Sequence, residues 1–142
     1  MITLKRFLKS VDATGSIGLI IKKSRAPAEK ILDQIKWPYL TYNIKKDVYP
    51  DDFLRVLISA IRDKKWLMVF VKHTWLPGRI YGQLRLIDRL KRIHVLNVEG
   101  EKDVLDMKLP QESRLVLVME KRILNNFEMP NFLDIIGPVY EF

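Results

Sequence analysis

Apolar residues follow two spacings along the chain, and the two spacings alternate from the start of the sequence onward. Continuous apolar runs, which are typical of strands buried on both faces of a parallel sheet, occupy residues 17–21, 66–71 and 115–119. Residues 39–44 alternate and are rich in β-prone side chains, which predicts a further strand. Residues 135–140 predict a last strand, although Gly137 and Pro138 weaken that prediction.

Apolar residues at helical spacing lie between these runs and predict helices. The four stripes are Leu4, Phe7, Leu8 and Val11; Ala28, Ile31, Leu32 and Ile35; Phe53, Leu54, Leu57, Ile58 and Ile61; and Ile80, Leu84, Ile87 and Lys91. Pro27 suits the first turn of the second helix, and Asp51 or Asp52 caps the third. We expect the fourth helix to reach about His94, and residues 95–113 to form a short hairpin or an extended crossover.

Buried strands that alternate with helices predict a parallel sheet with helices on both faces. The expected architecture is an α/β three-layer sandwich with a mostly parallel central sheet, formed as a single domain over residues 1–142.

The distribution of charge along the chain adds a prediction about the partner of the protein. The net charge is +8, and it is uneven: residues 1–94 hold 20 Lys and Arg against 8 Asp and Glu, whereas residues 95–142 hold 5 against 9. A basic body with an acidic final segment favours a polyanionic partner, although a surface that is simply rich in lysine is the alternative.

Several kinds of chemistry are excluded or unsupported by composition. The absence of cysteine excludes disulfides, thiolate metal sites and a cysteine nucleophile. His73 and His94 stand far apart in different predicted elements, and no carboxylates complete a zinc site around them. We therefore expect no metal, no cofactor and no catalytic residue. No apolar run approaches the roughly 18 residues of a membrane helix, and no signal peptide is recognisable, so we expect a cytoplasmic protein without membrane contact.

The order of elements resembles a P-loop NTPase core of the AAA+ type. The stretches that carry the resemblance are GLIIKKSRAPAEKILDQI for the first strand, loop and helix, LMVFVKH for the third strand and RLVLVMEKR for the late strand. In such a core the loop after the first strand would bind phosphate and the third strand would end in an acid. The resemblance therefore implies a nucleotide-binding scaffold.

The residues that would perform nucleotide chemistry are missing from this scaffold. A phosphate loop needs glycines, a lysine and a hydroxyl, but residues 22–30 contain no glycine, and Ser24 and Lys30 have the wrong spacing. Lys72 and His73 follow the third strand where an acid is expected, and Glu120 stands where a small polar side chain is expected. We therefore expect a degenerate core without hydrolysis, which leaves simple nucleotide binding open because a helix N-terminus still favours an anion.

Two basic groups and one aromatic residue are the candidate binding residues. The strand-end rim consists of Lys22, Lys23, Arg25, Lys72 and His73, which would share the carboxyl edge of a parallel sheet. The arginine edge consists of Arg79, Arg85, Arg89 and Arg92, of which the last three would lie on one side of the fourth helix. Trp75 and Leu76 in the intervening loop would either anchor a partner or fold back onto the core.

These residues favour a non-catalytic binding protein that acts on nucleic acid, or on a protein complex that handles it, such as RNA polymerase. The size and basic character are similar to those of small proteins of archaeal viruses and plasmids, some of which inhibit the host polymerase; the location would then be the host cytoplasm. One alternative is an unorthodox nucleotide hydrolase or a nuclease. Another is a structural or assembly subunit that uses the apolar stretch FLDIIGPVYEF as an oligomer contact.

Overall fold

A computed structural model describes residues 2–23, 25–45, 50–90, 92–96, 104–108, 114–129 and 131–142 of the chain. The elements in chain order are α1 (Leu4–Thr14), β1 (Ile17–Lys22), a first 3₁₀ helix (Ala28–Gln34), β2 (Tyr39–Ile44), α2 (Pro50–Arg62), β3 (Trp66–Val71), α3 (Gly78–Leu90), β4 (Arg92–Leu96), β5 (Val104–Lys108), β6 (Leu115–Glu120), α4 (Lys121–Asn125), a second 3₁₀ helix (Phe132–Ile135) and β7 (Ile136–Glu141). Within the described ranges, none of the helices has the length and apolar character that crossing a membrane requires.

Five of the strands form one sheet in the order β2-β3-β6-β1-β7, and every neighbouring pair is parallel. β1 lies between β6 and β7, with Leu19 opposite Leu117 on one side and Val139 on the other. β4 and β5 pair with each other as a separate antiparallel hairpin. The predicted α/β class with a parallel central sheet is confirmed.

Two apolar clusters, one on each face of the sheet, hold three layers together. α1 and the first 3₁₀ helix cover one face, where Phe7 and Ile31 are fully buried against the strands. α2, α3 and the second 3₁₀ helix cover the other face, where Phe53 and Leu84 are fully buried. Because β1 and β3 are buried along their whole length, their side chains contribute to both clusters.

The position of α1 is set by its two ends and by a close contact with β1. Thr3 caps the helix by accepting a hydrogen bond from the N–H of Arg6 at 3.2 Å, and Gly15 ends it in the left-handed conformation at φ 64°. Phe7 and Val11 pack directly over Gly18, where β1 has no side chain to keep them away. The helix therefore runs back along β1, and its first turn points toward the carboxyl edge of the sheet.

Two local predictions differ from the structure. Residues 28–34 form a 3₁₀ helix where an amphipathic α-helix was expected, and Leu32 is only half-buried because the tighter winding turns it away from the sheet. α3 ends at Leu90 and not near His94, because the following residues pair with Val104–Lys108 as β4. The hairpin itself was among the predictions for residues 95–113, although its turn lies outside the described residues.

We predict that Gly18→Ala destabilises the protein. A Cβ at this position would lie 2.7 Å from both Phe7 Cζ and Val11 Cγ2, and overpacking of this kind lowers the free energy of unfolding by about 1–3 kcal/mol. Gly82→Ala is the matched control: a Cβ there meets nothing within 4 Å, so the helix propensity of alanine should raise the free energy of unfolding by about 0.5–1 kcal/mol. Urea denaturation of both variants measures the two effects, and equal destabilisation by both would contradict the packing described for α1.

Candidate nucleic-acid interface

The structure brings the strand-end rim together at the carboxyl edge of the sheet. β1 ends at Lys22 and β3 ends immediately before Lys72, and β6 separates the two strands. Lys22 is 5% exposed and lies opposite Glu120 at the end of β6, whereas Lys23 and Arg25 are exposed. The rim was therefore placed correctly from the sequence, but its cations differ greatly in their contact with solvent.

Ion pairs neutralise two of the rim cations. Lys72 Nζ bonds to Glu29 Oε1 on the first 3₁₀ helix, and Lys23 Nζ pairs with Glu141 at the end of β7. The backbone of Lys23 also donates a hydrogen bond to the carbonyl of Phe142 at 2.6 Å. These contacts tie the ends of three strands and a helix to one another, so the rim is less positive than its sequence indicates.

Glu29 is the carboxylate that Lys72 of the strand-end rim holds. It lies in the first turn of the helix that follows β1. The hydrogen bond from Lys72 lowers the pKa of Glu29 against the opposing effect of burial, and its own backbone N–H and the charge of Lys22 lower it further. The strand-end rim thus contains a carboxylate of the protein itself, which is bonded to Lys72.

The loop after β3 folds back onto the core. Leu76 is 1% exposed, and its N–H donates a hydrogen bond to Met129 Sδ at 3.2 Å. Trp75 is half-buried and meets the ring of His73 edge-on at 5.3 Å between centroids. His73 Nδ1 is buried and has no hydrogen-bond partner in the described part of the chain. Of the two alternatives for Trp75 and Leu76, the loop adopts the lid arrangement for Leu76, and Trp75 remains partly accessible.

The arginine edge is formed by exposed residues of α3. Arg85 and Arg89 stand one turn apart and share a face, and Arg79 is exposed near the start of the helix. The guanidinium of Arg85 lies 6.0 Å from the ring centroid of Tyr81. Within the described ranges, none of these arginines forms an ion pair with a carboxylate.

Arg92 does not belong to the arginine edge on α3. It lies in β4, opposite Lys108 of β5, because the chain leaves the helix after Leu90. The expected spacing of Arg92 from Arg85 and Arg89 assumed one continuous helix. The sequence Ile93-His94-Val95 contains two β-branched residues, which favour a strand over a last helical turn.

Two features escaped the sequence analysis. Lys5, Arg6 and Lys9 lie exposed on α1, on the opposite face of the sheet from α3, and form no ion pair among the described residues. They occupy the positions complementary to the apolar stripe of that helix, so the helical pattern contained them. The second feature is a cleft between α3 and the chain before β7, which depends on tertiary packing and has no signal in the sequence.

Comparisons with known proteins add no family to this description: no protein-family model matches the chain, and no curated protein matches it significantly. Among the described residues, no group of three or more His, Asp or Glu side chains is arranged to hold a metal ion. The interpretation of the site therefore depends on its own geometry and charge.

We predict that Glu29→Gln destabilises the protein in a pH-dependent manner. Because the pKa of Glu29 in the folded protein lies below its ordinary value of 4.5, the pair with Lys72 contributes stability above that value and loses it as the pH falls through the folded pKa. Both side chains are partly exposed, so we expect the free energy of unfolding to fall by at most about 1 kcal/mol at neutral pH.

Urea denaturation across a pH series, with Asp33→Asn as control, measures this difference. Asp33 pairs with Lys30 at 4.0 Å on a well exposed surface, so its replacement should have a smaller effect than Glu29→Gln at neutral pH. A loss of stability from Glu29→Gln that persists at acidic pH, where the carboxyl group is protonated in both states, would show that the ion pair is not its cause.

Proposed function

We propose that this protein is a non-catalytic binding protein that engages nucleic acid through the arginine edge of α3. The observation that carries the proposal is the pair Arg85 and Arg89, exposed one turn apart without a described carboxylate partner. Guanidinium groups at this spacing can each contact a phosphate along a nucleic-acid backbone. The strand-end rim supports the same partner more weakly, because Lys23 and Lys72 are already paired.

The net charge of the chain supports the same class of partner. At +8, a diffuse positive field attracts a polyanion at long range, and unpaired surface cations convert that attraction into contacts by releasing counterions. The affinity of such an interface falls steeply with salt, since each phosphate contact contributes a slope of about −0.9 to the dependence of log K on log salt concentration.

The derivation from a P-loop NTPase core of the AAA+ type is part of the proposal and is supported by topology. The connection that leaves β1 crosses one face of the all-parallel sheet, and α4 leaves the adjacent β6 on the other face. The carboxyl ends of β1 and β6 thus flank a topological switch point, which is where α/β sheets of this kind bind ligands. In this chain Lys22 and Glu120 lie there, and Glu29 takes the place of a phosphate.

A protein that handles nucleic acid is the second form of the proposed partner. RNA polymerase is an example of such a partner, and acidic groups on its surface would contact the same exposed arginines. The unpaired arginines support free nucleic acid most directly, so binding to free nucleic acid is tested first. If the protein binds purified polymerase and no free nucleic acid, its partner is the polymerase.

We predict that Arg85→Glu/Arg89→Glu weakens binding to DNA and RNA oligonucleotides and reduces the salt slope by about 2, since two phosphate contacts are lost. The matched control is Lys5→Glu/Lys9→Glu, which changes the net charge by the same amount on the opposite face of the sheet. Fluorescence anisotropy over a salt series gives both quantities.

If the arginine edge has a specific role, Lys5→Glu/Lys9→Glu should keep most of the affinity and the full salt slope. Equal losses in both double variants would assign binding to bulk charge and remove the arginine edge from the proposal. No binding of the wild-type protein to any oligonucleotide at low salt would refute direct nucleic-acid binding.

A further inference from the structure

A cleft of about 370 Å³ lies directly beside the arginine edge. One wall is the side of α3 that carries Tyr81, Arg85, Asp88 and Arg89. The other wall is the chain that leads into β7, where Asn131 and Asp134 line the cleft. The volume lies within the range of small-molecule sites, and the position places the cleft within reach of anything that the arginines hold.

The wall formed by the segment before β7 is fixed by contacts with the loop after β3 and within the segment itself. Met129 Sδ accepts the hydrogen bond from the N–H of Leu76, and the N–H of Glu128 donates to the carbonyl of Thr74 at 2.7 Å. The rings of Phe127 and Phe132 pack at 4.5 Å between centroids. The segment before β7 is therefore attached to the loop after β3, and the cleft is a formed feature of the fold.

The polar lining of the cleft combines two cations with two carboxylates and an amide. Arg85 and Arg89 are exposed cations, whereas Asp88 and Asp134 bring carboxylates and Asn131 brings an amide. Neither carboxylate forms an ion pair in the described part of the chain. Carboxylates repel phosphates, but they accept hydrogen bonds from amino groups, which nucleobases carry on their edges.

Resting on the proposed function, we propose that this cleft receives an unpaired base of single-stranded nucleic acid. The phosphates on either side of that base contact Arg85 and Arg89, and the base enters between Tyr81 and Asn131 with its amino group toward a carboxylate. The tyrosine ring and the arginine plane above it supply surfaces on which bases stack. A duplex hides these edges within its base pairs, so the cleft selects single strands.

The test compares binding of a single-stranded oligonucleotide, its duplex and a mononucleotide to the wild-type protein and to Tyr81→Leu, which keeps an apolar side chain where Tyr81 packs on the core. We expect the wild-type protein to prefer the single strand over the duplex and the mononucleotide. We expect Tyr81→Leu to weaken single-strand binding roughly tenfold, with duplex binding unchanged. The salt slope should stay at its wild-type value because no phosphate contact is lost, in contrast to the arginine variants.

Two further variants distinguish a loss of binding contacts from a loss of folding. Asn131→Gly removes the amide while retaining the left-handed backbone at φ 65°, and it should also reduce the preference for single strands. Tyr39→Leu removes an exposed tyrosine from β2, outside the cleft, and should change nothing.

The outcomes separate this inference from the function on which it rests. Equal affinity for single strand and duplex, with Tyr81→Leu and Asn131→Gly both silent, overturns the cleft while the arginine edge stands. A mononucleotide that binds as tightly as the oligonucleotide overturns the assignment to a strand. Absence of all nucleic-acid binding at low salt overturns the proposed function and the inference together.

Discussion

The three central strands, β3, β6 and β1, bury apolar side chains on both faces of the sheet. The helices that cover these two faces determine where each surface described above lies. Phe70 points into one cluster and Val69 into the other, so neither face of β3 tolerates solvent. Burying each such side chain contributes about 1.5–3 kcal/mol, which far exceeds any single surface ion pair. This double burial places α3 on one face and α1 on the other, so the cations of these two helices lie on their outer sides.

The buried strands, which this constraint dictates, were predictable from the sequence because continuous apolar runs of this length seldom form other elements. The shorter elements were not: α4 has five residues and the second 3₁₀ helix has four, which is too little for a period to emerge. The end of α3 was misplaced since Ile87 and Lys91 continue its spacing, and only the pairing of β4 with β5 shows that the helix has stopped. Local pattern thus loses to tertiary pairing at the boundaries.

The candidate site was predictable as a location and not as an arrangement of charge. Parallel strands bring their carboxyl ends to one edge, so Lys22 and Lys72 were expected at the same edge, and the structure places them on either side of β6. The sequence could not show that Glu29, 43 positions from Lys72, would neutralise it. The cleft beside α3 was equally unpredictable from the sequence, because Tyr81 and Asn131 line the same cleft only once the segment before β7 has packed. Charge patterns along a chain identify candidate cations, whereas the freedom of those cations depends on distant carboxylates.

The order of the strands has a consequence for how the molecule assembles during translation. Of the five strands of the sheet, β1 is synthesised first, but both of its neighbours, β6 and β7, come after β2 and β3 in the chain. Until residues 115–141 have emerged, β1 exposes two open edges and the apolar run of residues 17–21. Such long-range pairing slows folding and leaves a nascent chain that is prone to aggregation. α1 precedes β1 in the chain and can pack on Gly18, so it is the first element that can cover β1.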